Sequence, residues 1–163
     1  ISAEARAELS EATARLGREL DSLRDQLRNK PALLELLPDA QIYHKAVDWA
    51  LRYDEFFKTN EPAVARTLLQ QGAERAAALR EGRAPWLTAT GLVVRGFVSR
   101  IDGSVQPYWL TVPPAVEPAA TADLPGLVLS VNPFVNPDFW AGRGRMGGFV
   151  VGLVNLGSSY RTF

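Results

Sequence analysis

The sequence predicts an α+β chain, with a helical bundle over residues 1–83 followed by a β-rich region over 84–163. Three observations carry this. Charge sits at the front, where residues 1–83 hold 13 of the 18 basic and 14 of the 18 acidic side chains. Glycine sits at the back, with 10 of 13 after position 90. Apolar residues recur at helical spacing in the first part and as short β-prone runs in the second.

The first helix begins after Ser2, an N-cap residue, and Glu4 and Glu8 suit its positive end. Its stripe is Leu9, Leu16, Leu20, Leu23 and Leu27, closed by Asn29, Lys30 and Pro31. The regular part spans barely three turns beyond Leu16, so packing within the chain is preferred over a dimer zipper. A short apolar piece over 32–37 leads to Pro38-Asp39. The second helix is expected over 40–57, with Ile42, Ala46, Trp49, Ala50, Tyr53 and Phe57 on its buried face. The third starts near Asn60-Glu61-Pro62, carries Val64, Leu68, Ala76 and Leu79, and ends at Glu81-Gly82. Three antiparallel helices with short links satisfy these stripes.

Past the junction at Arg83-Ala84-Pro85, residues 92–101 and 105–112 are β-prone and flank Asp102-Gly103, which tolerate positive φ. This predicts a β-hairpin. Pro107 places part of its second strand at an edge or bulge, because proline donates no N–H. Proline-rich residues 113–118 break the pattern, and 127–131 and 149–154 are short apolar runs suited to buried strands.

Composition excludes several chemistries. Without cysteine there is no disulfide, thiolate nucleophile or Cys-ligated zinc, and the lone His44 rules out a multi-histidine metal site within one chain. Basic and acidic residues cancel at 18 each, so charge offers no reason to expect nucleic acid as a partner. No apolar run approaches the ~20 residues of a membrane span. The chain starts at Ile1 and is read as a processed or excised piece, with no cofactor expected.

Three motifs compete with plainer readings. Gly142-Arg143-Gly144-Arg145-Met146-Gly147 fits G-x-G-x-x-G, but β-prone Phe149-Val150-Val151 follows and no acidic residue occurs after Asp138 to hold a ribose. A glycine-rich loop with solvated arginines is preferred. Gly157-Ser158-Ser159-Tyr160 approaches a nucleophile elbow, but Arg161 replaces its second glycine. His44 lies one turn before Asp48 and is expected to form a solvated pair with it.

Three stretches together resemble a known family. Ile42-Tyr43-His44-Lys45-Ala46-Val47 and Tyr53-Asp54-Glu55-Phe56-Phe57 form the first. Ala84-Pro85-Trp86 and Gly91-Leu92-Val93-Val94-Arg95-Gly96-Phe97 form the second, and the ten residues from Ser99 to Tyr108 (SRIDGSVQPY) the third. Over residues 38–113 the chain resembles the N-terminal region of bacterial α/β-hydrolase-fold proteins, the prolyl-oligopeptidase-like or esterase-like serine hydrolases. The resemblance implies that the hairpin and short strands begin an α/β-hydrolase sheet. It implies hydrolysis of ester or peptide bonds, with Gly142, Arg143 and Gly144 in the oxyanion loop. The histidine expected before Gly142 is absent, and Trp109 stands at a glycine position.

The family's nucleophile, acid and base would lie downstream, so the chain alone is expected to be inactive. The implied partners are a downstream hydrolase domain or further copies pairing through exposed strands. The resemblance is compatible with an extracytoplasmic location. The competing expectation is a non-catalytic helical interaction module with a small β domain.

Overall fold

The computed structural model describes residues 1–112, 127–130 and 149–153. Its elements are α1 (Ala3–Gln26), α2 (Pro31–Leu34), α3 (Pro38–Arg52), α4 (Glu61–Arg80), a 3₁₀ turn (Pro85–Leu87), β1 (Gly91–Val98), β2 (Val105–Val112), β3 (Leu127–Ser130) and β4 (Phe149–Leu153). The α+β class therefore holds. Two compact units divide the chain, one comprising Ile1–Ala84 with Gly96–Gln106, the other drawn from Pro85–Arg95 and Pro107–Phe163. The helical unit thus takes in the tip of the hairpin.

In the helical unit, Ser2 caps α1 by accepting the Ala5 N–H at 3.2 Å. Leu9, Thr13, Leu16, Leu20, Leu23 and Leu27 are all buried, an unbroken 4-3-4-3-4 seam. Thr13 fills the gap in the leucine stripe because its hydroxyl donates to the Leu9 carbonyl at 2.7 Å, which satisfies it inside the core. The seam packs against α3 and α4 of the same chain.

The third long helix, α4, buries Ala65, Leu69, Gly72, Ala76 and Leu79. Val64 and Leu68, expected in this face, are only half-buried. Small residues set the contact. A Cβ on Gly72 would lie 2.9 Å from Leu16 Cδ2 and 3.0 Å from Tyr43 Cβ, so this glycine is where three helices meet. At the helix end Gly82 has φ 77°, and Arg83 N–H bonds the Ala78 carbonyl at 2.8 Å, a Schellman closure. Asn60 stands at the cap position but makes no side-chain cap bond; Glu61 reaches back instead to the Lys58 N–H at 2.9 Å.

The expected course of α3 needs two corrections. It ends at Arg52, not near Phe57, because Asp54 takes the left-handed position (φ 57°) and Glu55 N–H bonds the Ala50 carbonyl at 2.9 Å. Its buried face is Asp39, Ala40, Ile42, Tyr43 and Val47. Of the expected stripe only Ile42 is buried; Tyr53 is 59% exposed and Phe57 69%. The helix is turned by about one residue toward the small side chains that allow close approach.

The predicted hairpin is present, with Ser99 N–H bonding the Ser104 carbonyl at 2.8 Å. Its loop is wider than Asp102-Gly103 alone. Gly103 (φ 71°) donates back to the Ser99 carbonyl at 2.9 Å, so four residues turn the chain. In the second unit Trp86 and Val93 are buried. The described strands run in the order β1-β2-β4-β3. β4 is antiparallel to β2, from Tyr108↔Leu153 to Thr111↔Val150, and parallel to β3, from Leu127↔Phe149 to Ser130↔Gly152. Pro107 lies inside β2, one residue before the β2–β4 register begins at Tyr108.

Candidate functional site

A polar constellation in the helical unit lies where α3 meets the hairpin tip. Asp39, in the first turn of α3, is fully buried at 0% exposure. Its Oδ1 accepts the Gly96 N–H at 2.7 Å, and its backbone carbonyl accepts Arg75 Nη1 at 2.9 Å. Burying a carboxylate with no donor would cost on the order of several kcal/mol, so the Gly96 N–H is what this position calls for. Arg75 also lies over the Tyr43 ring, 5.0 Å from its centroid. Burial pushes the Tyr43 hydroxyl pKa up; nearby Arg75 opposes this and Asp39 adds to it.

Two turns along, Lys45 donates to the Val105 carbonyl at 2.6 Å, and its ammonium sits 4.3 Å from the Trp49 ring centroid. Trp49 meets Tyr53 edge-on at 5.9 Å. Partial burial lowers the Lys45 pKa, against the attraction of Asp102. Asp102 accepts the Ser104 hydroxyl at 2.7 Å and the Ser104 N–H at 3.1 Å. These bonds, with a further one from Ser99, hold its carboxyl down to about 2. Gln106 completes the tip by donating to Ser104 Oγ at 2.7 Å.

The geometry assigns these groups to holding backbone in place. Ser104 bonds a carboxylate, and no serine–imidazole hydrogen bond occurs among the described residues. His44 does not form the expected pair with Asp48, which bonds Arg52 at 2.9 Å. Instead its half-buried ring faces α1, where a Cβ on Gly17 would lie 2.9 Å from His44 Nε2. Among the described residues no group of His, Asp and Glu could hold a metal ion, and no helix is long and apolar enough to cross a membrane. The oxyanion-loop candidates Gly142, Arg143 and Gly144, the motif ending at Gly147, and Ser158 and Ser159 lie outside the described residues.

Asp39 is the residue that sequence reasoning missed, since an aspartate after a helix-opening proline ordinarily faces water. The available signal was Gly96 inside a β-prone run, because a strand-interior glycine marks close backbone approach. Comparisons with known protein families, with curated proteins and with solved structures found no match.

Proposed function

We propose that the chain is the front module of an α/β-hydrolase-type serine hydrolase acting on ester or peptide bonds. Its part is to hold the first hairpin of the sheet and not to carry out the chemistry. The observation behind this reading is that the segments sharing the family resemblance bond one another. Lys45 bonds Val105, which joins the stretch at 42–47 to the one at 99–108, and Asp39, three residues before the first stretch, bonds Gly96 in the second. A module that supplies the fixed start of a sheet needs such links. Under this reading Gly142, Arg143 and Gly144 contribute N–H groups to the oxyanion hole, and a downstream domain supplies the nucleophile, acid and base.

A fluorophosphonate probe, which reacts with activated serines, tests the assignment. The isolated chain is expected to stay unlabelled. In extract of the source cells, the polypeptide recognised by an antibody against α1–α4 is expected to carry the label. An antibody-reactive polypeptide that stays unlabelled while other serine hydrolases in the same extract react would overturn the reading.

The second reading is a non-catalytic interaction module that binds a partner or copies of itself. Exposed Tyr53 and Phe57, and Ile101 at 98% exposure on the hairpin tip, favour it. Here the same polypeptide stays unlabelled, and sedimentation of the purified chain reports whether it self-associates.

A further inference from the structure

Hydrogen bonds at the hairpin tip define which backbone groups face outward. Ser99 N–H points to β2, so along β1 the odd-numbered residues face β2 and the even-numbered ones face away. Gly96 is even, and its N–H leaves the ribbon on the outer side of β1, where Asp39 accepts it. Ser104 carbonyl points to β1, so Val105 carbonyl leaves on the opposite side, past β2, where Lys45 donates to it. Asp39 and Lys45 therefore hold opposite edges of the same ribbon. Six residues of helix rise about 9 Å, while paired strands lie about 4.8 Å apart. One helix therefore reaches both edges of the hairpin tip with its side chains.

The contact also discriminates between registers. A Cβ on Gly96 would lie 2.5 Å from the carbonyl carbon of Pro38, closer still to its oxygen, and 2.9 Å from Ile42 Cγ2. A one-residue slip would bring Arg95 or Phe97 against Pro38 and turn the facing N–H away from Asp39. A two-residue slip would restore the N–H but bring Val94 or Val98, whose side chains do not fit. We infer that the first two turns of α3 form a two-edged clamp that accepts the hairpin in one register only, with Asp39 and Gly96 as its key and Lys45 as its second jaw. The clamp closes both edges near the tip to pairing with another strand. It depends only on contacts within the helical unit and stands whether or not the hydrolase reading holds.

Amide hydrogen exchange of the full chain tests the clamp. In Asp39→Asn the Gly96, Phe97 and Ser99 amides are expected to exchange about tenfold faster, the effect of weakening one charge-assisted bond. Amides of α1 around Leu16–Leu23 and of α4 around Leu69–Leu79 keep their protection. Gly96→Ala is expected to abolish protection across the tip while the helices stay protected. Lys45→Met keeps the stem on Trp49, sits at a tolerant half-buried position, and is expected to speed exchange at the tip about threefold, the effect of one weaker bond. Tip amides within twofold of the parent in Lys45→Met would overturn the second jaw. Parent-like protection of the tip in Gly96→Ala would overturn register selection. Loss of helix and tip protection together in Asp39→Asn would make Asp39 a core residue and end the proposal.

Discussion

Helices α1 and α3 pack against the same partner, α4, yet α1 turns inward a row of leucines interrupted once by Thr13, whereas α3 turns inward Asp39, Ala40, Ile42, Tyr43 and Val47. On α1 bulk and burial coincide, because the leucines occupy one face and charge occupies much of the rest. On α3 two faces carry apolar bulk. One holds Ala46, Trp49 and Tyr53, the other Tyr43 and Val47. What separates them is how near a neighbour can come. Ala40 and Gly72 let α4 approach until the Ala40 carbonyl lies 3.6 Å from the place of a Gly72 Cβ. Close packing over small residues then outweighs the larger but looser area of the aromatics. The same turn of the helix carries Asp39 inside, where Gly96 arrives with an N–H for it.

The comparison breaks most readily at its leucine end. Leu23, fully buried, is expected to lose about 3–5 kcal/mol as Leu23→Ala, the range for a leucine removed from a rigid core. Urea unfolding followed by helical circular dichroism measures it. A loss near 1 kcal/mol, the range of ordinary substitutions, would mean that the seam is not the centre of the bundle.

The aromatic side of α3 sharpens the contrast. Half-buried Trp49, held by Lys45 and the edge of Tyr53, is expected to cost about 1–2 kcal/mol as Trp49→Ala, well short of a core tryptophan. Phe57→Ala is expected to stay within about 0.5 kcal/mol, as at most exposed positions. Losses of 3 kcal/mol or more at both positions, the size of a core aromatic truncation, would restore the stripe of Trp49, Tyr53 and Phe57 as the buried face.

The smallest effect belongs to the charged exterior. Glu8 bonds Arg66 through both carboxylate oxygens, at 2.8 and 2.7 Å, and this bond lowers its pKa. A folded pKa below the unfolded one means that the stabilisation is present above the ordinary glutamate value of about 4.3. It is lost as pH falls through the lower folded value. Comparing the parent with Glu8→Gln across acid unfolding should show a difference above that value that closes below it and shrinks in salt. A difference independent of pH would remove the pair as its cause.

What could be read from the chain alone were the features whose energetics are local. The cap at Ser2, the leucine period of α1, the glycine stop after Glu81 and the hairpin around Asp102-Gly103 all depend on residues within a few positions of one another. The stop of α3 carries no glycine to mark it, because Asp54 takes the left-handed position usually given to glycine. The rotation of α3, the turning of His44 onto Gly17 and the burial of Asp39 belong to the tertiary structure alone. Each depends on a partner that is remote in sequence, as Gly96 is from Asp39 by 57 positions. A helix with two apolar faces, or a carboxylate of undecided burial, has no local energy that chooses between its options. The choice falls to the neighbour that can approach closest and satisfy the groups it covers.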